Sequence, residues 1–229
     1  MKKTKIFGLT VFELCLWGVS CAVMVIGYFI APENGTLNFI ASLIGVTALI
    51  FVAKGHAVGQ LLTIIFAVVY GVISFELKYY GEMITYVCMS APMALCALIA
   101  WIRHPYKDTA EVEIASVTRK QAVFLFVSTI AVTVAFYFIL RALGTANLIV
   151  STFSVTTSYI ASALTYLRSP YYALGYSAND IVLIILWATA SFEDPSYIVM
   201  TACFVMFLFN DLYGFFNWKR LKNDQEKRS

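Results

Sequence analysis

The sequence predicts an all-α integral membrane protein with eight transmembrane helices, in which an N-terminal helix precedes a parallel 3+1+3 internal repeat. The composition, the spacing of the apolar segments and a duplication within the chain predict this fold class. Apolar residues make up 61% of the 229 residues and charged residues 13%, whereas soluble domains contain about 25% charged residues. The chain is therefore expected to form a single domain within the membrane.

Eight apolar segments are separated by polar connections. Because the hydrocarbon core of a bilayer is about 30 Å thick, each span requires roughly 20 helical residues. The predicted spans are 8–30, 37–53, 57–75, 82–102, 121–141, 146–166, 171–192 and 196–218. The one substantial connection, 103–120, carries both signs of charge and is expected to be a plain cytoplasmic linker. We expect a frayed tail after Trp218 and a bend at Pro92 in the fourth span.

The charged residues between the spans predict the orientation of the chain. If the N-terminus is cytoplasmic, all but Lys78 and Arg141 of the 16 lysine and arginine residues fall on the cytoplasmic side. The loop acids on the opposite side are Glu33, Glu76, Glu82, Glu193 and Asp194. Because cytoplasmic loops carry an excess of lysine and arginine, we expect both termini in the cytoplasm. The net charge of +3 indicates contact with anionic lipid headgroups and not with nucleic acid.

The second half of the chain repeats part of the first. Residues 37–53 align with 146–162 and residues 60–103 with 177–220, and Trp101 and Arg103 match Trp218 and Arg220. The copies begin four spans apart, so both cross the membrane in the same direction, and many small-molecule transporters bind substrate between such halves. The predicted single transporter domain, 1–229, comprises an extra N-terminal helix (1–36), the first three-helix repeat (37–103), a linker and connecting helix (104–145), the second repeat (146–220) and a cytoplasmic tail (221–229).

The sequence contains no pattern typical of an enzyme, a cofactor site or a metal site. The two histidines, His56 and His104, lie in cytoplasmic turns, and no serine or cysteine is placed to form a nucleophile pair with them. The five cysteines lie in apolar segments without paired spacing, as buried packing residues do. No Gly-rich loop is present to hold a nucleotide phosphate. We therefore expect no catalysis, no cofactor and no metal.

Polar side chains inside the spans are the candidate functional residues, because a polar group in hydrocarbon is costly unless it faces a cavity or a partner. At three- and four-residue steps, the seventh span carries Tyr172, Tyr176, Asn179, Asp180, Leu183 and Trp187. The third span similarly carries Gln60, Thr63, Ala67, Tyr70 and Ser74. Tyr70 matches Trp187 in the repeat, so the two rings could sandwich a flat ligand ring. The alternatives are an interfacial tyrosine belt and ordinary helix packing.

The eighth span adds polar residues near its predicted cytoplasmic end. Asp180 and Asp211 could each bind a ligand hydroxyl, accept a proton or bond to a neighbouring helix. We assign the many hydroxyl groups of the sixth span mainly to close helix packing. The predicted substrate-binding residues are Gln60, Tyr70, Tyr176, Asn179, Asp180, Trp187, Asn210, Asp211 and Tyr213.

The end of the eighth span resembles a known family. Asp211-Leu212-Tyr213-Gly214-Phe215-Phe216-Asn217-Trp218, followed by two basic residues, resembles the last-helix ending of the PnuC family of vitamin transporters, which is typically Asn-x-Tyr-Gly-x-x-x-Trp. The resemblance implies a fold similar to the SWEET sugar transporters, a homotrimer and a bacterial inner membrane. It also implies facilitated diffusion of a dephosphorylated vitamin or nucleoside, usually nicotinamide riboside for NAD biosynthesis, with trapping by phosphorylation.

Two departures from the family pattern bear on the substrate. Family members that carry nicotinamide riboside resemble one another in a Trp-x-x-Trp pair that opens the seventh helix shortly before an asparagine, here Asn179. The tryptophan positions hold Tyr172 and Gly175, and Asp211 occupies the position of the eighth-helix asparagine. Thiamine, riboflavin and deoxyribonucleosides are therefore alternative substrates. Proton-coupled uptake and a non-transporting membrane scaffold are alternative functions.

The leading substrate is nicotinamide riboside. We expect Trp187 and Tyr70 to stack on its ring. The residues expected to bond its hydroxyls or amide are Gln60, Asn179, Asp180, Asn210 and Asp211.

Overall fold

The computed structural model describes residues 5–6, 9–30, 35–76, 80–145, 147–192 and 198–228. Within these residues, eight helical spans are long and apolar enough to cross a bilayer, which confirms the prediction of an all-α membrane protein with eight transmembrane helices. The helices are Val11–Ile30 (α1), Gly35–Ala53 (α2), Ala57–Glu76 (α3), Tyr80–Ile84 (α4), Ala91–Arg103 (α5), Arg119–Ala142 (α6), Leu148–Tyr166 (α7), Tyr172–Ala190 (α8) and Ile198–Arg228 (α9). A π-helical segment, Thr85–Ser90, joins α4 to α5 within one span. A short antiparallel pair, Lys5–Ile6 (β1) and Leu9–Thr10 (β2), precedes α1.

The basic residues of the described part are concentrated at one end of the bundle. Lys54 follows α2, Arg103 ends α5, Arg119 begins α6 and Arg168 follows α7. We term this end, which also contains residues 104–118, the linker end. Arg141 lies near the end of α6, at the opposite end. Six residues that contribute to the predicted orientation lie outside the described residues. They are Lys2, Lys3, Glu33, Lys78, Glu193 and Asp194.

Capping side chains and a turn glycine mark where several of the helices begin. Thr10 and Glu13 form a reciprocal cap on α1, in which Thr10 N donates to Glu13 Oε2 (2.6 Å) and Glu13 N donates to Thr10 Oγ1 (3.3 Å). Thr118 and Gln121 form the same kind of reciprocal cap at the start of α6. Gly55 has a φ of 70° in the short turn between α2 and α3, a left-handed conformation that glycine adopts without strain. This turn allows α2 and α3 to pack as antiparallel neighbours.

The helices pack in two sets. In the first set, α3 packs against both α2 and α5, and in the second, α8 packs against both α7 and α9. The sets meet where α2 contacts α9 and where α5 contacts α7. The helix α6 packs against α7, and α1 packs against α2 and α9. This arrangement is compatible with the predicted 3+1+3 repeat, and it leaves the central space between the two sets.

The two repeated tryptophans bond across the sets at the linker end. Trp101 Nε1 on α5 donates to the Thr165 carbonyl oxygen on α7 (3.0 Å), and Trp218 Nε1 on α9 donates to the Val52 carbonyl oxygen on α2 (2.9 Å). The two ring centroids lie 5.2 Å apart, and Tyr172 packs against Trp218 at 4.7 Å. All three rings are buried. This aromatic cluster of Trp101, Tyr172 and Trp218 closes the linker end of the bundle.

The linker and the C-terminal segment pack against each other, so the predicted frayed tail is wrong. The helix α9 continues to Arg228. Ile114 N donates to Gln225 Oε1 (2.9 Å), and Gln225 Nε2 donates to the Val112 carbonyl oxygen (3.0 Å). Val112 and Ile114 are buried in the same apolar core as the aromatic cluster. The tail therefore stays helical because a buried amide side chain pairs with the backbone of the linker.

The fourth span departs from an α-helix next to its proline. Pro92 lies in the first turn of α5, directly after the π segment. Ala91 N donates to the Tyr86 carbonyl oxygen, which is an i to i−5 bond. Since proline has no N–H, the preceding carbonyl groups lack one α-helical donor. The wider π turn accommodates this loss, and π segments of this kind are frequent at functional sites.

Candidate substrate-binding site

Two adjoining cavities lie between the two helix sets. The outer cavity (about 560 Å³) lies toward the end remote from the linker, and the inner cavity (about 820 Å³) lies toward the linker end; both volumes include space open to the surface. Tyr86, Ser158, Asn179 and Phe204 border both cavities.

The inner cavity is lined by polar groups of α3, α8 and α9. Gln60, Asp180 and Asp211 border it and are buried, while Phe66 and Phe207 contribute apolar surface. The carboxyl groups of Asp180 and Asp211 lie within hydrogen-bonding range of each other. Among the described residues, no donor reaches Asp180 Oδ2. This oxygen therefore has capacity to accept a hydrogen bond from a ligand.

Hydroxyl groups of α7 position two side chains of α8. Ser154 Oγ and Thr157 Oγ1 both donate to Asn179 Oδ1, at 3.1 and 3.0 Å. The Tyr176 and Ser162 hydroxyl oxygens lie 3.0 Å apart. The Asn179 carbonyl oxygen therefore accepts two hydrogen bonds from α7. Among the described residues no acceptor binds its NH₂ group, which leaves this group to donate to a ligand. The hydroxyls of the sixth predicted span thus contribute to the cavity wall as well as to helix packing.

Aromatic rings and one carboxylate line the outer cavity. Tyr70, Tyr86 and Trp187 border it, and the ring centroids of Tyr70 and Tyr86 lie 4.5 Å apart. The Tyr70 hydroxyl donates to Glu82 Oε2 at 2.9 Å. Glu82 projects from α4 into the same cavity. Tyr70 and Trp187 therefore share one cavity, as the predicted stacking on a ligand ring requires.

Asn210 and Tyr213 lie away from both cavities, in contrast to the other predicted site residues. Asn210 Nδ2 donates to Ser20 Oγ (3.0 Å) and to the Met206 carbonyl oxygen (2.8 Å). The Tyr213 hydroxyl donates to Glu13 Oε1 (2.7 Å). Successive residues of an α-helix point about 100° apart, so when Asp211 faces the cavity, Asn210 faces α1. The two side chains join α9 to the extra N-terminal helix, and the placement does not support the ligand contacts expected of them.

Several cavity residues escaped the sequence prediction. Glu82 was expected in an outer loop, but it lies in the first turns of the fourth span and borders the outer cavity. Tyr86 belongs to the π segment, so α-helical periodicity could not assign its direction. Phe204 and Phe207 are two of 18 phenylalanines in an apolar chain, and nothing in the sequence separates them from lipid-facing rings. Among these residues, the acidic side chain of Glu82 at the boundary of a span was the one signal that the sequence offered.

The comparison with known proteins identifies the family. Residues 35–220, well over half of the chain, match the family described as nicotinamide mononucleotide transporter. The chain belongs to this family. It is 28% identical over 199 residues to the nicotinamide riboside transporter PnuC of Neisseria mucosa, across 84% of this chain and 75% of that protein. It is 26% identical over 223 residues to the nicotinamide riboside transporter PnuC of Haemophilus influenzae, across 96% and 95%.

The fold is similar to a solved structure of a family member. The crystal structure of the vitamin B3 transporter PnuC aligns with a TM-score of 0.82 and 25% sequence identity, over 96% of this chain and 95% of that chain. The resemblance found at the end of the eighth span is therefore confirmed. This protein is a multi-pass membrane transporter and not an enzyme.

The two positions that depart from the family's tryptophan pair lie in tightly packed places. Tyr172 is buried in the aromatic cluster at the linker end. A Cβ atom on Gly175 would meet the Cα of Ala161 on α7 at 2.9 Å, closer than real Cβ contacts. A large ring at position 175 would therefore require α7 and α8 to separate. Tyr70, Tyr86 and Trp187 supply aromatic rings to the outer cavity.

Proposed function

We propose that this transporter carries nicotinamide riboside into a bacterial cell across the inner membrane by facilitated diffusion, and that cytoplasmic phosphorylation traps it. The observation that carries the proposal is the pair of adjoining cavities between the helix sets, aromatic in the outer part and polar in the inner part. The two curated relatives named above are nicotinamide riboside transporters. Transporters of repeated architecture bind substrate at such an interface.

The chemistry of the cavities matches the parts of nicotinamide riboside. The flat pyridine ring stacks on Tyr70 and Trp187. The carboxamide bonds to Asn179 or Gln60, since an amide offers both a donor and an acceptor. The ribose hydroxyls donate to the carboxyl group of Asp180, whose Oδ2 has no donor among the described residues. The partners of the three parts of the substrate all lie on α3 and α8, one helix from each set.

Transport requires the linker end to open. The aromatic cluster of Trp101, Tyr172 and Trp218 is buried at that end, and its two tryptophan hydrogen bonds each connect the two helix sets. We infer that these bonds break when the sets rock against each other and release substrate to the cytoplasm. In this proposal both termini are cytoplasmic, which agrees with the concentration of basic residues at the linker end. We also propose that the active assembly is a homotrimer, as the family resemblance implies.

Ligand-dependent stabilisation of the purified protein tests the substrate. A ligand at about 100 times its Kd stabilises the folded state by roughly 2.7 kcal/mol. We expect nicotinamide riboside to raise the Tm, and riboflavin and deoxyribonucleosides to leave it unchanged. Trp187→Ala should abolish the shift, because the ring stacks on the substrate. Trp17→Ala is the matched control, since Trp17 on α1 bonds to Thr47 away from the cavities. A full shift in Trp187→Ala would contradict the stacking.

Proton-coupled uptake is a second candidate, favoured by the apposed carboxyl groups of Asp180 and Asp211. A buried carboxyl pair is a common proton relay in transporters. Uptake into vesicles with and without a proton gradient separates the two mechanisms. Facilitated diffusion predicts the same initial rate in both conditions, and a rate that falls when the gradient is collapsed would establish coupling.

A further inference from the structure

We propose that the outer cavity recognises the positive charge of a heteroaromatic ring, with Glu82 as the residue that selects for charge. This inference rests on the transport function and the orientation proposed above. It adds a charge requirement and a specificity residue to them.

Glu82 supplies the charge in the described lining of the outer cavity. Among the described residues that line this cavity, Glu82 is the one acidic side chain, and none is a lysine, an arginine or a histidine. None of the ion pairs within the described part of the chain includes Glu82. The inner cavity is similar, with Asp180 and Asp211 and no basic residue in its described lining. The described lining of both cavities therefore favours a cationic ligand over an anionic one.

The aromatic groups around Glu82 favour the same kind of ligand. The Tyr70 hydroxyl holds the Glu82 carboxylate at 2.9 Å, and the faces of Tyr70 and Tyr86 are tilted by 53° at a centroid distance of 4.5 Å. Aromatic faces attract cations because their π electrons form a negative face, and aromatic cages bind quaternary ammonium ligands in this way. Tyr70 is 8% exposed, so the carboxylate is held by a rigid donor.

The ligand class follows from the chemistry of the candidates. An N-glycosylated pyridine ring and a thiazolium ring carry a fixed positive charge that no deprotonation removes. The flavin ring and the pyrimidine or purine rings of deoxyribonucleosides are neutral. The outer site therefore favours nicotinamide riboside and thiamine among the substrates that the sequence leaves open. It disfavours riboflavin and the deoxyribonucleosides.

Paired ligands that differ in charge test the proposal. Binding to the purified protein is measured by calorimetry for nicotinamide riboside and its neutral dihydro form, and for the 1-methylnicotinamide cation and neutral nicotinamide. We expect the wild-type protein to bind the cation of each pair about tenfold more tightly, which corresponds to ~1.4 kcal/mol. Glu82→Gln keeps the acceptor for the Tyr70 hydroxyl and removes the charge. It should abolish the preference by weakening only the cations.

Three further variants separate charge from structure. Glu82→Asp retains the charge and should retain most of the preference. Tyr86→Leu removes one aromatic face and should reduce the preference about threefold, a loss within the range of a single cation–π contact. Asp108→Asn changes the net charge equally in the exposed linker and should have no effect. If Glu82→Gln does not fold, the Tyr86→Leu result decides, since an unchanged preference would contradict the aromatic site.

The outcomes distinguish this inference from the proposed function. A wild-type protein that binds neither cation more tightly than its neutral partner overturns the inference, as does a preference that survives Glu82→Gln. Uptake of labelled nicotinamide riboside into vesicles is measured alongside. If the charge preference is present but uptake is absent, the substrate proposal fails and the cation site stands. If uptake is present without a charge preference, the transport function stands alone.

Discussion

The substitution Asp180→Asn is expected to stabilise the protein and to weaken uptake. Asp180 is 3% exposed, and its Oδ2 has no hydrogen-bond partner among the described residues. The carboxyl group of Asp211 faces it within hydrogen-bonding range, and two buried carboxyl groups this close cannot both be ionised without strong repulsion. An amide of the same shape supplies N–H donors toward Asp211. The substitution therefore replaces a carboxyl pair that repels when both groups ionise with an uncharged amide donor and a carboxyl acceptor.

The size of each effect follows from this geometry. A buried polar atom without a partner costs about 1–3 kcal/mol, and we expect the variant to recover the lower end of this range. For a chain of this size, about 1 kcal/mol corresponds to a rise in Tm of roughly 2–4 °C. A hydrogen bond to a charged group contributes about 1.5–3 kcal/mol. Because the ribose hydroxyl loses its charged acceptor, the KM for nicotinamide riboside should rise roughly 10- to 100-fold.

The assay combines thermal unfolding of the purified protein with initial rates of uptake into vesicles. Asp224→Asn is the matched control, because Asp224 lies on the exposed part of α9, where its carboxylate is 4.0 Å from Arg220. It should change neither the Tm nor the KM measurably. A lower Tm in Asp180→Asn, together with an unchanged KM, would mean that Asp180 serves the packing of α8 and not the substrate. That result would refute the reasoning.

Two further substitutions separate structural residues from cavity residues. Tyr213→Phe removes the bond to Glu13 and should lower the free energy of unfolding by about 1–2 kcal/mol, measured by denaturation, with no change in the KM because Tyr213 lies outside both cavities. Gln225→Ala leaves buried backbone groups of Val112 and Ile114 without partners and should cost about 2–3 kcal/mol. Limited proteolysis should then cleave within 104–118 faster than in a Glu226→Ala control, and equal rates would contradict the proposed role of Gln225.

Helical periodicity predicted much of the inner cavity. Gln60, Asn179 and Asp180 are polar residues on otherwise apolar spans, and all three border the cavity. A polar group in hydrocarbon must have a cavity or a partner, so its presence alone indicates an inward direction. The same argument could not predict whether a polar side chain faces the cavity or bonds to a neighbouring helix. Asn210 finds its partner on α1 and Asp211 finds the cavity, although they are neighbours in the sequence.

The outer cavity was harder to predict because its parts lack periodic signals. Glu82 lies where the fourth span begins, and a charge at a span boundary is typical of a loop. Tyr86 is directed by the π segment, which breaks the α-helical period on which face assignment depends. The phenylalanines of α9 are indistinguishable in sequence from rings that face lipid. Only the packing of α3, α7 and α8 around them identifies the cavity.

The sequence by itself determined the medium, the number of spans and the family, because the cost of burying charge in hydrocarbon acts on every residue of a span. It also indicated the repeat, since Trp101 and Trp218 recur in register. Only the tertiary structure decided which polar residues face substrate and which join helices. That choice depends on what lies opposite each side chain: α1 opposite Asn210, Asp180 opposite Asp211, and the linker opposite Gln225. Those partners are remote in sequence, so no local pattern records them.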